Sequence, residues 1–271
     1  MSIKAIFKKM IVIMLTAAIT AGAFLYIAPS ADAGTVYAAS TKKKEKKAYN
    51  KIMAQQSKYP EGMAWNDSNK YKGRTACQAF AFLMSDIAYG KNAKYYSHYD
   101  FGVLKVGDII ITTQGGTHAV VVLNCDVSND KITVCEGNYG GTVHWGREIA
   151  ISELARSGHC VISRIPYKEN HKASLKKPKK VKKVTYKVSG GDSYFYPSPA
   201  VSCTTYQYII STDKAFPYMN SQVAYPKEGE NFVYAQGTIS GWGTAYIKVR
   251  AVKISGGKVS YGKWSKVYKI N

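Results

Sequence analysis

The stretch Thr75-Ala76-Cys77-Gln78-Ala79-Phe80-Ala81-Phe82-Leu83-Met84-Ser85-Asp86-Ile87-Ala88-Tyr89-Gly90 decides how the first half of the chain reads. Phe80, Leu83, Met84 and Ile87 recur at helical spacing, which predicts a helix over residues 76–89 closed by Gly90. Thr75 and Gln78 fit the Ser/Thr-x-x-Glu/Gln capping box. Cys77 then falls in the first turn, where free backbone N–H groups and the positive helix end favour a thiolate. A cysteine packed as a small hydrophobe fits the same position, so position alone leaves both readings open.

Strands follow. Val106-Gly107-Asp108-Ile109-Ile110-Ile111 enters a buried strand, and Gly115-Gly116-Thr117 breaks it. His118-Ala119-Val120-Val121-Val122-Leu123 is a second strand, Lys131 to Glu136 a third, and Val161 to Ile165 a fourth. A helix followed by an antiparallel meander is an α+β arrangement. His118 opens the most apolar strand, at a sheet end that can reach a helix N-terminus. An imidazole there takes the thiol proton and later protonates a leaving amine. His98, His144, His159 and His171 open no such strand. A hairpin turn at Ser128-Asn129-Asp130 returns Glu136-Gly137-Asn138 towards His118. A carboxylate or amide at that place orients the imidazole. The plain alternatives are a surface charge for Glu136 and a turn former for Asn138. The order cysteine, histidine, acid or amide on successive elements is more specific than any member alone.

The 271 residues carry a formal net charge of +21, with 46% hydrophobic residues and 22 tyrosines. That length fits two domains, and that apolar content fits packed cores. Lys4, Lys8 and Lys9, the apolar run Ile11 to Ala28 and the small-x-small Ala31-Asp32-Ala33 read as a signal segment over residues 1–33. The alternatives are cleavage after Ala38 or an uncleaved anchor. No membrane span is expected after cleavage. Residues 34–58 read as a lysine-rich mobile segment, 59–167 as the domain carrying Cys77, 168–183 as a basic linker and 184–271 as a β-rich domain. Five lysines lie within 42–47 and seven within 172–183. Such runs are solvated tethers or attract polyanions. In an exported protein the polyanions are anionic wall polymers or lipids, and no nucleic-acid motif is present. The five cysteines, Cys77, Cys125, Cys135, Cys160 and Cys203, are odd in number and lack a CxxC pair. They indicate neither a disulfide scaffold nor a zinc site.

Cys77 in a first helical turn, Val106-Gly107-Asp108-Ile109-Ile110 before a glycine turn, His118 with its valines, and Glu136-x-Asn138 together resemble the CHAP family of cysteine, histidine-dependent amidohydrolases/peptidases. That family shares a papain-like core with NlpC-type wall hydrolases. The resemblance implies Cys77 as nucleophile, His118 as base, and Glu136 and Asn138 as the pair that orients the histidine. It implies cleavage of amide bonds in peptidoglycan peptides without a metal or other cofactor. The stretch Tyr139-Gly140-Gly141-Thr142-Val143-His144-Trp145-Gly146-Arg147 resembles an extension found in secreted proteins of anaerobic Gram-positive bacteria. Within it Trp145 reads as a core residue and Arg147 as a surface charge, and Tyr71 is a candidate for the oxyanion site. In the C-terminal part, Tyr206 to Phe216, Tyr246 to Ala251 and a closing strand over Tyr261 to Val267 resemble a fibronectin type III module. This implies an immunoglobulin-like sandwich. The expected protein is therefore a secreted, wall-associated cysteine amidase or endopeptidase. The alternative is a wall-binding or adhesive protein on an inactive papain-like scaffold.

Overall fold

The computed structural model describes residues 39–112, 117–168, 175–189, 192–235 and 244–270. The signal segment 1–33, the Gly115-Gly116 turn and His171 lie outside the described residues. The described chain is mostly β-sheet with few helices, and none of these helices is long and apolar enough to cross a membrane.

Helix α1 spans Ala39–Met53, which corrects the expectation of a mobile lysine-rich segment over 34–58. Ala48 and Ile52, one turn apart, are buried, while Lys43, Lys44, Lys46, Lys47 and Lys51 stay exposed. One apolar stripe is enough to dock a helix whose other side is solvated. The short ribbon β1 (Lys70–Tyr71) and β2 (Arg74–Thr75) leads into α2 (Ala76–Tyr89). Helix α2 ends at Gly90, whose φ of 101° suits glycine and whose N–H donates to the Asp86 carbonyl. The capping box does not form. Thr75 occupies the N-cap without a side-chain hydrogen bond, because its extended backbone is paired with Lys70 in the ribbon.

Next come β3 (Tyr96–His98), β4 (Ile109–Thr112), β5 (His118–Asp126), β6 (Lys131–Tyr139), β7 (Thr142–Ala150), α3 (Ile151–Ser157) and β8 (Gly158–Ser163). They form a six-stranded sheet in the order β3-β8-β4-β5-β6-β7, antiparallel throughout. Helix α2 packs on β5 and β6. Gly107, at φ 81°, admits the Tyr89 ring, since a Cβ there would lie 2.6 Å from it. The β5–β6 hairpin pairs Asp126 with Lys131, which puts Cys125 opposite Ile132 and Cys135 opposite Val121. All five cysteines are free.

The C-terminal part contains β9 (Val184–Ser189), β10 (Asp192–Pro197), β11 (Thr205–Ser211), β12 (Ser221–Ala224), β13 (Val233–Ala235), β14 (Ala245–Ser255), β15 (Lys258–Tyr261) and β16 (Tyr268–Ile270). Strands β13-β10-β9 make one sheet. Strands β12-β11-β14-β15 make a second, which β16 joins by pairing with β14. Phe195 and Val233 from the first sheet meet Tyr208, Ile247 and Val249 from the second in a buried core. The closing strand differs from the sequence expectation: Tyr261 ends β15, and pairing resumes at Tyr268. Between them Trp264 stacks on the Arg250 guanidinium (4.3 Å) and the Lys248 ammonium (4.9 Å). Ser265 exchanges hydrogen bonds with Val249. Of the basic stretch 168–183, residues 169–174 lie outside the described residues. In the remainder Val181 is buried in the sandwich core.

From residue 39 onward the described chain belongs to one compact unit. Strands β14 and β15 pack against the six-stranded sheet. Val252, Val259 and Tyr261 share a core with Phe101, Ile110, Val120 and Leu154. Arg250, 2% exposed, donates to Gln207 Oε1 at 2.8 Å and to the Tyr99 carbonyl at 2.5 Å. Gln207 also donates to Tyr99 O and Tyr225 Oη, and Tyr225 donates to Gly158 O. Removing the guanidinium leaves Gln207 Oε1 buried without its donor and takes one of two donors from Tyr99 O. Arg250→Met is therefore expected to destabilise the protein by about 2–4 kcal/mol. Thermal unfolding followed by near-ultraviolet dichroism should show a lowered but still single transition.

Candidate active site

Cys77 lies in the first turn of α2, and the residue before it is strained. Ala76 adopts φ 52°, a left-handed conformation that alanine rarely takes. Two bonds hold it there: Trp65 Nε1 donates to Ala76 O at 2.8 Å, and Ala76 N donates to Asn69 O at 3.1 Å. Trp65, 5% exposed, packs edge-on against Phe80 of α2. This pins the start of the helix, and with it the position of the sulfur.

Val120 opposes Glu136 across β5 and β6, so His118, two residues earlier, shares a sheet face with Glu136. His118 Nε2 lies 2.7 Å from Glu136 Oε2. The other ring nitrogen, Nδ1, is left for the Cys77 thiol, with which His118 is hydrogen-bonded. Glu136 has no exposed side-chain surface. Its Oε1 accepts from Arg147 Nε, and its Oε2 accepts from Arg147 Nη2 at 2.8 Å. The Arg147 guanidinium stacks on the exposed Tyr139 ring at 4.8 Å, and that ring is 6.0 Å from the His118 ring.

The electrostatics follow from this chain of contacts. Burial pushes the Cys77 thiol up, but the His118 hydrogen bond and the Ala119 and Gln78 backbone amides outweigh it, and the net shift is downward. Burial pulls His118 down, yet its bonds to Cys77 and Glu136 lift it to about 9. Burial also raises Glu136, while Arg147 and His118 hold it below the usual carboxylate range. Elsewhere burial raises the thiols, taking Cys125, with nearby carboxylates adding to the effect, and Cys160 to about 12, and pushing Cys135 well up beside Glu136. Among the described residues Cys77 is the one cysteine shifted towards the thiolate.

Among the described residues Cys77, His118 and Glu136 thus meet, whereas Asn138 makes no hydrogen bond to His118. Asn138 sits at φ 63° in the β6 bulge next to Gly137. Gly137 is required there, because a Cβ would lie 2.7 Å from both Phe80 and Trp65. Tyr71 lies away from the sulfur and donates to Asp86 Oδ2 at 2.7 Å, which corrects its place at an oxyanion site. Trp145 packs edge-on against Phe80 but is only half-buried, so it is not the core residue that it reads as. Arg147 is not the surface charge that it reads as. A register shift at Gly146, φ 89°, turns it onto the face of Glu136. Among the described residues no group of three or more His, Cys, Asp or Glu side chains is arranged to hold a metal ion.

No family model matches the chain, and no curated protein matches it. Among solved structures it is similar to the FN1–FN3 fibronectin domains of chicken CNTN1, at 16% identity and a TM-score of 0.25. The match covers 60% of this chain and 55% of that one, and a score so low carries no further argument.

The charge states predict a pH profile. Above the lowered pKa of Cys77 and below about 9 the pair is thiolate and imidazolium. Above about 9 the imidazolium proton is lost and the thiolate remains. Alkylation of Cys77 by iodoacetamide, read from the mass of its peptide, should therefore show a pH midpoint below that of an ordinary cysteine. In His118→Ala the midpoint should move up by about 1–3 pH units, since burial then acts on the thiol with less opposition.

Proposed function

We propose that the protein is an exported cysteine amidase or endopeptidase that hydrolyses amide bonds in cell-wall peptides. The observation that carries this reading is the contiguous set of Cys77, His118 and Glu136, with the sulfur in a helix's first turn. The helix on an antiparallel sheet reads as a papain-like core of CHAP type. The paired three- and five-stranded sheets read as a fibronectin type III-like sandwich.

The chemistry starts from the thiolate–imidazolium pair. The Cys77 sulfur attacks the amide carbonyl carbon, and the carbonyl π electrons move to oxygen. The N–H groups of the first turn of α2 receive that oxyanion. As the intermediate collapses, the C–N bond breaks and imidazolium His118 gives its proton to the leaving amine. The acyl group remains on sulfur as a thioester. Neutral His118 then takes a proton from water, the hydroxide attacks the thioester, and the carboxylic acid leaves as the thiolate is restored. Glu136 stays ionised throughout and keeps the imidazole oriented.

The wall as substrate is supported by the signal-like start of the sequence and by the exposed lysines of α1 and of 176–183, which suit anionic polymers. Purified sacculi and their peptide fragments are the test, with new amino groups as the readout. Cys77→Ala should retain its fold and lose about 10⁴-fold or more of the hydrolysis rate. Sacculus binding without release of amines by the wild-type protein would replace this reading with that of a wall-binding protein.

A further inference from the structure

Glu136 has two ion-pair partners, and the proposed reaction uses only His118. Arg147 meets the carboxylate with Nε on one oxygen and Nη2 on the other, the planar fork that a carboxylate matches in both bonds. Oxygen Oε2 therefore receives from Arg147 and His118 together. With both oxygens engaged, the carboxylate plane cannot turn away from the imidazole.

We propose that Arg147 is a positioning residue for the Cys77–His118 pair, acting through Glu136: its guanidinium locks the buried carboxylate onto His118 Nε2 and so leaves Nδ1 facing the thiol. This rests on the functional reading above and adds a member to it. Three observations support it. Glu136 is wholly buried, so without Arg147 it would face the desolvation cost of an ion with one partner. The β7 bulge at Gly146 puts Arg147 on the carboxylate's face; a regular strand would place it on the face of Trp145. The Tyr139 ring stacks on the guanidinium, helping to hold it in place, and neighbours the imidazole.

The groups that bear on the titration come from each neighbouring element. Cys77 on α2 and His118 on β5 are the pair itself. Cys135 lies next to Glu136 on β6, and Tyr139 and Glu153 both act on Arg147. Glu153 acts on Arg147, whereas the Tyr139 ring also lies 6.0 Å from the His118 ring.

The test is the pH midpoint of Cys77 alkylation, read by peptide mass, in the full chain and without substrate. Arg147→Met should raise the midpoint by about one pH unit or more. Arg147→Lys keeps a charge but not the fork, and should raise it by less. Glu136→Gln should raise it too, and Arg147→Met added to Glu136→Gln should add nothing, because the two act in series. An unchanged midpoint in a folded Arg147→Met protein would overturn the proposal. So would a full additional shift in the double variant, which would make Arg147 a through-space cation. If Arg147→Met does not fold, Arg147→Lys decides, and an unmoved midpoint there refutes the role of the fork. A wild-type thiol that titrates in the ordinary range would instead remove the activated pair, and with it the functional reading itself.

Discussion

A carboxylate with no exposed surface is tolerable only where cations and N–H donors take up its charge, and Glu136 sets this condition on β6, beside the edge strand β7. Its demands shape three strands. Strand β5 must begin at His118 and pair in the register that opposes Val120 to Glu136, and β7 must bulge to deliver Arg147. Cations on both sides keep the acid ionised, and the acid in turn raises His118. The lowered thiol of Cys77 lies at the end of this alternation of charge.

Two other buried carboxylates show how much the partners matter. Asp86, farther along α2, receives Lys72, Arg164 and the hydroxyls of Tyr71 and Tyr95, and falls to about 2 despite its burial. It ties α2 to the β1–β2 ribbon and to Arg164 just beyond β8, so that the helix bearing Cys77 is anchored well away from the site. Asp108 has one oxygen on the Lys105 amide, while its Oδ1 has no hydrogen-bond partner, and burial lifts it to about 7. Three acids in one half differ because their cation supply differs; burial is common to all of them.

The C-terminal sheets contribute to the same unit. Strand β14 contributes to both cores, Val249 to the sandwich and Val252 to the junction with the six-stranded sheet. A polar ladder of Arg250, Gln207 and Tyr225 crosses that second junction with its recorded bonds directed to Tyr99 and Gly158 carbonyls. Apolar area supplies the main driving force, and the ladder sets the alignment. The sandwich thus packs on the sheet face that carries Val120, the face to which His118 and Glu136 also belong.

Periodicity in the sequence determined α2 to the residue, the strand order from β4 to β6 and the hairpin at Ser128–Asp130, because these depend on neighbours a few positions apart. The meeting of Cys77, His118 and Glu136 was legible for a related reason: Cys77 and His118 stand at element ends that can be counted, and the hairpin register brings Glu136, inside β6, beside His118. Three features were decided by tertiary structure alone. Residues 39–53 are helical because Ala48 and Ile52 find a partner in α2, which a lysine run does not announce. Ala76 is held left-handed by Trp65 and Asn69, and no local pattern predicts this. Arg147 faces Glu136 because Gly146 breaks the alternation of β7. Counting by twos from Trp145 assigns Arg147 to the wrong face, and only the pairing with β6 reveals the extra residue.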